Sequence, residues 1–164
     1  MIVHGQIQSP TIPFIKNVSD TVVNEQGYLY WVLVNRHDNI NLIKEFRNGS
    51  SRKNYSMKYW VMYDSLKRIV SIKSNGKRNS PEVGPGLRQK FYTYDYLNRV
   101  IDYSEYEKKW FNFKLKIHMV EDFDNRTLTV YQSEYSKVIN YKNVKGIIYK
   151  TESYTLVDGI WKLM

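Results

Sequence analysis

A chain of 164 residues is long enough to bury a core without disulfides or metals, and the absence of cysteine excludes a disulfide framework, a thiolate zinc site, an iron–sulfur cluster and a cysteine nucleophile. Lysine and arginine outnumber aspartate and glutamate 25 to 16, a formal charge of +9 that favours acidic partners such as nucleic acid, an acidic protein or an anionic surface. Fifteen tyrosines, six phenylalanines and four tryptophans favour sheet over helix, because aromatic residues suit a pleated, half-buried surface.

Residues 1–13 lack the basic start and apolar run of a secretory signal. No stretch approaches the roughly 20 apolar residues that span a bilayer. The expectation is one cytoplasmic domain over residues 1–164, with no membrane contact.

Along the chain, residues 8–27 hold Pro10, Pro13 and Gly27 and are expected as an irregular arm or a short helix, with Ser19 and Asp20 as possible caps. Strands are then expected over 28–34, 40–46, 55–63 and 69–73. In 55–63, Tyr55, Met57, Tyr59, Val61 and Tyr63 share one face at the period of a strand. Residues 74–86, rich in Asn, Gly and Pro, read as the longest loop, and it is basic at Lys77 and Arg78.

Further strands are expected over 87–94, 100–105, 111–119, 126–135, 145–154 and 160–164. In 111–119, Phe111, Phe113, Leu115, Ile117 and Met119 alternate with Asn112, Lys114, Lys116 and His118, the pattern of a half-buried antiparallel strand. The separators are turn chemistry: Arg36-His37-Asp38-Asn39, Arg47-Asn48-Gly49-Ser50, Phe123-Asp124-Asn125 and Asp158-Gly159, the last suited to a two-residue hairpin. Together these predict an all-β antiparallel meander of about 9–11 strands, curled into a two-layer or barrel-like sheet that buries its aromatic face.

One phrase occurs twice. Tyr63-Asp64-Ser65-Leu66-Lys67-Arg68-Ile69 and Tyr94-Asp95-Tyr96-Leu97-Asn98-Arg99-Val100 both read Tyr-Asp-x-Leu-x-Arg-aliphatic, between strand-like flanks. The aspartate is expected to accept backbone N–H groups of a tight turn, and the residue before the arginine to take a left-handed conformation, which Asn98 tolerates better than Lys67. The arginine then reaches back to the aspartate or across a ring, so Asp64, Arg68, Asp95 and Arg99 are expected as structural turn clamps.

These copies resemble the YD-type hairpin repeats of Rhs and teneurin-like proteins, whose pattern is Tyr-Asp-x-x-Gly-Arg-aliphatic, with Lys67 or Asn98 standing at the glycine. The resemblance covers about 45 residues and implies β-hairpins. In style it extends to small immunity proteins of polymorphic toxin systems, which implies a cytoplasmic partner that binds and blocks a toxin domain, one of acidic character given the basic charge here.

Catalytic and metal-binding motifs are weak throughout. His4, His37 and His118 show no ligand spacing. His37-Asp38 is an acid/base pair in composition and a polar turn in context, while His118 lies beside Lys114 and Lys116 on an expected wet face. Glu121, Asp122 and Asp124 lack the ligand ladder of a calcium loop and read as a solvated turn. No enzyme activity and no cofactor are expected.

The favoured expectation is a protein-binding module whose contacts come from Lys77, Arg78, Arg88, Lys90, His37, Lys114 and Lys116. The alternative is a single-stranded nucleic-acid binder that uses basic residues around the long loop, Lys73 among them, with Phe91, Tyr92 and Tyr94, and a second stretch at Lys108, Lys109 and Trp110. A third reading is a barrel that holds a small apolar ligand.

Overall fold

Where alternation with a period of two is clearest, the backbone is strand. The structure, a computed structural model, describes residues 6–10, 21–23, 29–33, 42–49, 55–76, 86–109 and 111–164. Among these residues there is no helix and there are twelve strands: β1 (Thr21–Val23), β2 (Leu29–Leu33), β3 (Glu45–Gly49), β4 (Tyr55–Tyr63), β5 (Ile69–Gly76), β6 (Gly86–Tyr94), β7 (Val100–Lys109), β8 (Asn112–Asp122), β9 (Thr127–Ser133), β10 (Ser136–Lys142), β11 (Ile148–Val157) and β12 (Ile160–Leu163). Their hydrogen-bonded order is the chain order, an antiparallel meander as expected.

Several boundaries differ from the sequence reading. β1 lies inside the expected irregular arm, and β3 begins where the 40–46 strand was to end, taking in Arg47, Asn48 and Gly49 that read as a turn. The expected loop at 74–86 is shorter, because β5 runs on to Gly76 and β6 starts at Gly86. Its basic centre, Lys77 and Arg78, and also His37 lie outside the described residues.

β10 falls where no strand was expected. The single run 126–135 is instead β9 followed by a tight turn without Gly, Pro or Asn, in which Ser133 Oγ accepts the N–H of Tyr135 at 3.1 Å and meets Ser136 Oγ at 2.9 Å. Hydroxyl groups do here what Asn-Gly does elsewhere. The Asp158-Gly159 turn between β11 and β12 is as expected, with φ of 52° and 76°.

The chain divides into two compact units. The first, here the N-terminal unit, comprises Pro10–Gln89 and Glu107–Asn112; the second, the C-terminal unit, comprises Met1–Ser9, Lys90–Tyr106 and Phe113–Met164. In the N-terminal unit Ile43, Phe46, Met57, Val61 and Ile69 are buried, with Phe46 stacked on Tyr59 at 4.4 Å. The Tyr63 hydroxyl donates to the Ile43 carbonyl at 2.9 Å, and burial pushes its pKa up to about 12 against that bond.

In the C-terminal unit Ile7, Tyr92, Val100, Tyr103, Met119 and Leu128 are buried, Leu128 completely. Beside them lies a buried ion pair between Glu121 on β8 and Lys142 on β10, and the second carboxylate oxygen of Glu121 accepts the Ile7 N–H at 2.9 Å. Both charges are thus paired and hydrogen-bonded, the condition under which burial is tolerated. The reading of Glu121 as part of a solvated acidic turn is therefore corrected. Asp122 does serve the turn, accepting the Asn125 N–H at 2.9 Å.

The two repeated phrases are hairpin turns, as expected. Asp64 Oδ1 accepts the N–H groups of Leu66 and Arg68, both at 2.9 Å, and Asp64 Oδ2 accepts Arg68 Nε at 2.7 Å. Asp95 repeats this with Leu97 and Arg99 at 2.9, 2.8 and 2.7 Å. Lys67 and Asn98 are left-handed at φ 64° and 62°. Desolvation opposes ionisation of both aspartates, yet the bonds from the arginine backbone and guanidinium hold them below the usual carboxylate range. Arg99 also lies over the Phe123 ring, 3.8 Å from its centroid.

A third hairpin has the same backbone without the phrase. Asn143 Oδ1 accepts the N–H groups of Lys145 and Ile147 at 2.9 and 3.0 Å, while the Gly146 N–H returns to the Asn143 carbonyl at 2.9 Å. Here asparagine replaces aspartate, isoleucine replaces arginine, and Gly146 occupies the left-handed position at φ 77°.

Candidate binding surface

Cross-strand register places a row of polar and aromatic side chains on one face of the C-terminal unit. His118 on β8 is opposite Tyr131 on β9, Tyr131 opposite Lys137 on β10, and Lys137 opposite Tyr154 on β11. Directly opposed residues point the same way, so the four form one continuous row. Trp161 on β12 joins it, its ring 6.3 Å from Tyr131 and its centroid 4.4 Å from Lys137 Nζ.

Each member is held by its neighbours. The His118 ring stacks on Tyr131 at 5.0 Å, and His118 Nε2 lies 2.9 Å from Asp102 Oδ2 on β7. Lys137 also lies over Tyr154, at 5.6 Å. The hydroxyls of Tyr154 and Tyr141 both donate to Glu152 Oε2 at 2.6 Å, and Lys150 Nζ reaches its other oxygen at 2.6 Å. Lys150 first, then the two tyrosines, bring the Glu152 pKa down to about 2, and the same bond raises that of Tyr154.

Of the sequence-predicted contact residues that are described, three of four are paired with carboxylates. Arg88 pairs with Glu107 at 3.4 Å, whereas Lys90 and Lys116 converge on Glu105 at 4.0 and 3.9 Å. Glu105 also accepts the Tyr103 hydroxyl at 2.8 Å, and burial first, then that bond, raises the tyrosine pKa. Lys114 is exposed on β8. The expected apolar face of β8 is buried only toward its end: Phe111 is 91% exposed, Phe113 43% and Leu115 42%, against 9% for Met119.

In the N-terminal unit a second cluster escaped the sequence reading. Glu45 on β3 is opposite Trp60 on β4, which is opposite Lys73 on β5; one step along, Arg47, Lys58 and Asn75 stand in the same order. Lys58 Nζ is 4.6 Å and Lys73 Nζ 5.9 Å from the Trp60 centroid, and Arg47 lies 4.8 Å from that of Tyr55. The signal for it was present in the residues between the apolar positions of β4, Lys58 and Trp60, which alternation assigns to the opposite face.

Charge is distributed unevenly between the units. The N-terminal unit has fifteen Lys and Arg against seven Asp and Glu, and the C-terminal unit ten against nine. Nearly all of the basic excess therefore belongs to the former. Among the described residues no group of three or more acidic or histidine side chains is placed to hold a metal ion. No helix of the described residues is long and apolar enough to cross a membrane. No protein-family model, curated protein or solved structure matches the chain.

Proposed function

We propose that the chain is a non-enzymatic protein-binding module that docks a partner on the His118–Tyr131–Lys137–Tyr154 face of its C-terminal unit. The observation that carries this reading is the row itself: two tyrosines, a tryptophan and a histidine, half-buried and fixed by stacking, cation–π contact and hydrogen bonds. Aromatic side chains held in one geometry before binding lose little entropy on contact, the property of residues that dominate protein interfaces. The near balance of charge in this unit suits a protein surface better than a phosphate backbone.

The hairpin resemblance gives the partner a class. An immunity-type protein binds a toxin domain in the cytoplasm and occludes its active site, and a sheet face whose side chains are held by one another suits that task.

The test is affinity capture from the native host with the full chain, followed by reconstitution of the captured protein with purified material. A one-to-one complex that weakens at least tenfold in Trp161→Ala and in Tyr131→Ala, with melting preserved, supports the reading. Absence of a stoichiometric protein, or a complex indifferent to both substitutions, overturns it.

A further inference from the structure

The Trp60 cluster belongs to the N-terminal unit and does not depend on the partner reading above. Its six positions form a small grid on one sheet face, Glu45, Trp60 and Lys73 in one row, Arg47, Lys58 and Asn75 in the next. With two residues along a strand spanning about 7 Å and neighbouring strands about 4.8 Å apart, the grid measures roughly 7 by 10 Å, the scale of a nucleotide or two.

Among the described residues, three cations and one carboxylate share this patch. Glu45 accepts Arg47 Nη2 at 3.1 Å and Lys58 Nζ at 3.2 Å, so it is matched more than once over. Lys73 is exposed and, among the described residues, meets no carboxylate within ion-pair distance. Lys73 thus brings positive charge to an indole ring, in the unit that holds nearly all of the chain's basic excess.

We propose that this face binds single-stranded nucleic acid, with Trp60 stacking on a base and Lys73, Lys58 and Arg47 holding the flanking phosphates. An acidic polypeptide would need the cations but not the ring; a polymer that alternates a flat base with a phosphate uses both. A sheet face admits such a strand because its bases are unpaired and free to lie against an aromatic floor.

The experiment follows fluorescence anisotropy of a labelled oligothymidylate with the full chain across a salt series. The expected result is binding at low salt that falls linearly on a double-logarithmic plot, about tenfold weaker in Trp60→Leu and largely kept in Trp60→Phe. Lys73→Glu, a surface change that leaves folding intact, is expected to weaken binding and flatten the salt slope. Absence of binding at low salt overturns the proposal. So does wild-type affinity in both Trp60→Leu and Lys73→Glu. Displacement of the oligonucleotide by polyglutamate at equal charge concentration, with no effect of Trp60→Leu on either ligand, overturns it in favour of an acidic protein.

Discussion

Asn143 organises its turn as Asp64 organises its own: each side-chain oxygen accepts the N–H groups two and four residues onward, at 2.9 to 3.0 Å. What separates them is the ion pair, because Arg68 answers Asp64 whereas Ile147 stands where an arginine would. The three hairpins therefore resolve the repeated phrase into a backbone clamp, which needs only an amide or carboxylate oxygen, and a charge contact added to two of them.

Asp64→Asn is accordingly expected to lower the melting temperature less than Asp64→Ala, since the amide keeps both backbone bonds. Thermal denaturation of the two variants ranks them, and equal losses would show the ion pair to be the main contribution. At the left-handed position, Lys67→Gly is expected to stabilise by roughly 0.5–1 kcal/mol, the relief of αL strain less the entropy of glycine, and Asn98→Gly by less. Gly146→Ala is expected to cost about 1 kcal/mol through φ alone, because its Cβ meets nothing closer than Gln6 at 3.8 Å.

Lys142→Met leaves Glu121 buried without its cation and is expected to cost about 3–5 kcal/mol in denaturant unfolding. Adding Glu121→Gln removes the stranded charge while keeping an acceptor for the Ile7 N–H. The double variant is expected to recover most of the loss, and failure to do so would mean that packing, not charge, governs the site.

The acid limb of stability should follow Glu152 and the two clamp aspartates. Their folded pKa values lie below the ordinary range, so their contribution is present above that range and is lost as pH falls through the folded values, about 2 for Glu152. Carboxyl NMR titration is expected to place the Glu152 midpoint near 2 and to move it upward in Tyr154→Phe. An unchanged midpoint would assign the shift to Lys150 and Tyr141.

Alternation groups Phe111, just before β8, with Met119 on it, yet their exposures differ, and so should their variants. Met119→Ala is expected to cost about 2–5 kcal/mol and Phe111→Ala less than about 0.5 kcal/mol in equilibrium unfolding. Equal costs would mean that something covers the first half of the strand in solution.

These contrasts mark what the sequence made legible. Tyr55 to Tyr63 and the Asp158-Gly159 turn could be read because periodicity and positive-φ chemistry act locally. β10 was hidden by a serine-capped turn that lacks the usual residues, and the third clamp by the loss of both its charges. Periodicity states which residues share a face but not what lies against it, so Phe111, Phe113 and Leu115 were assigned a burial that only Met119 attains. The Trp60 and Tyr131 clusters needed register, which no single strand contains.

The bond from Ile7 to Glu121 joins residues 114 positions apart. A ribosome adding about 5–20 residues per second makes the first partner roughly 6–23 s before the second exists. For that interval Ile7 has no place to be buried. Ile7 therefore waits for a partner made long after it, and a nascent chain halted before residue 121 would leave its N–H without that carboxylate.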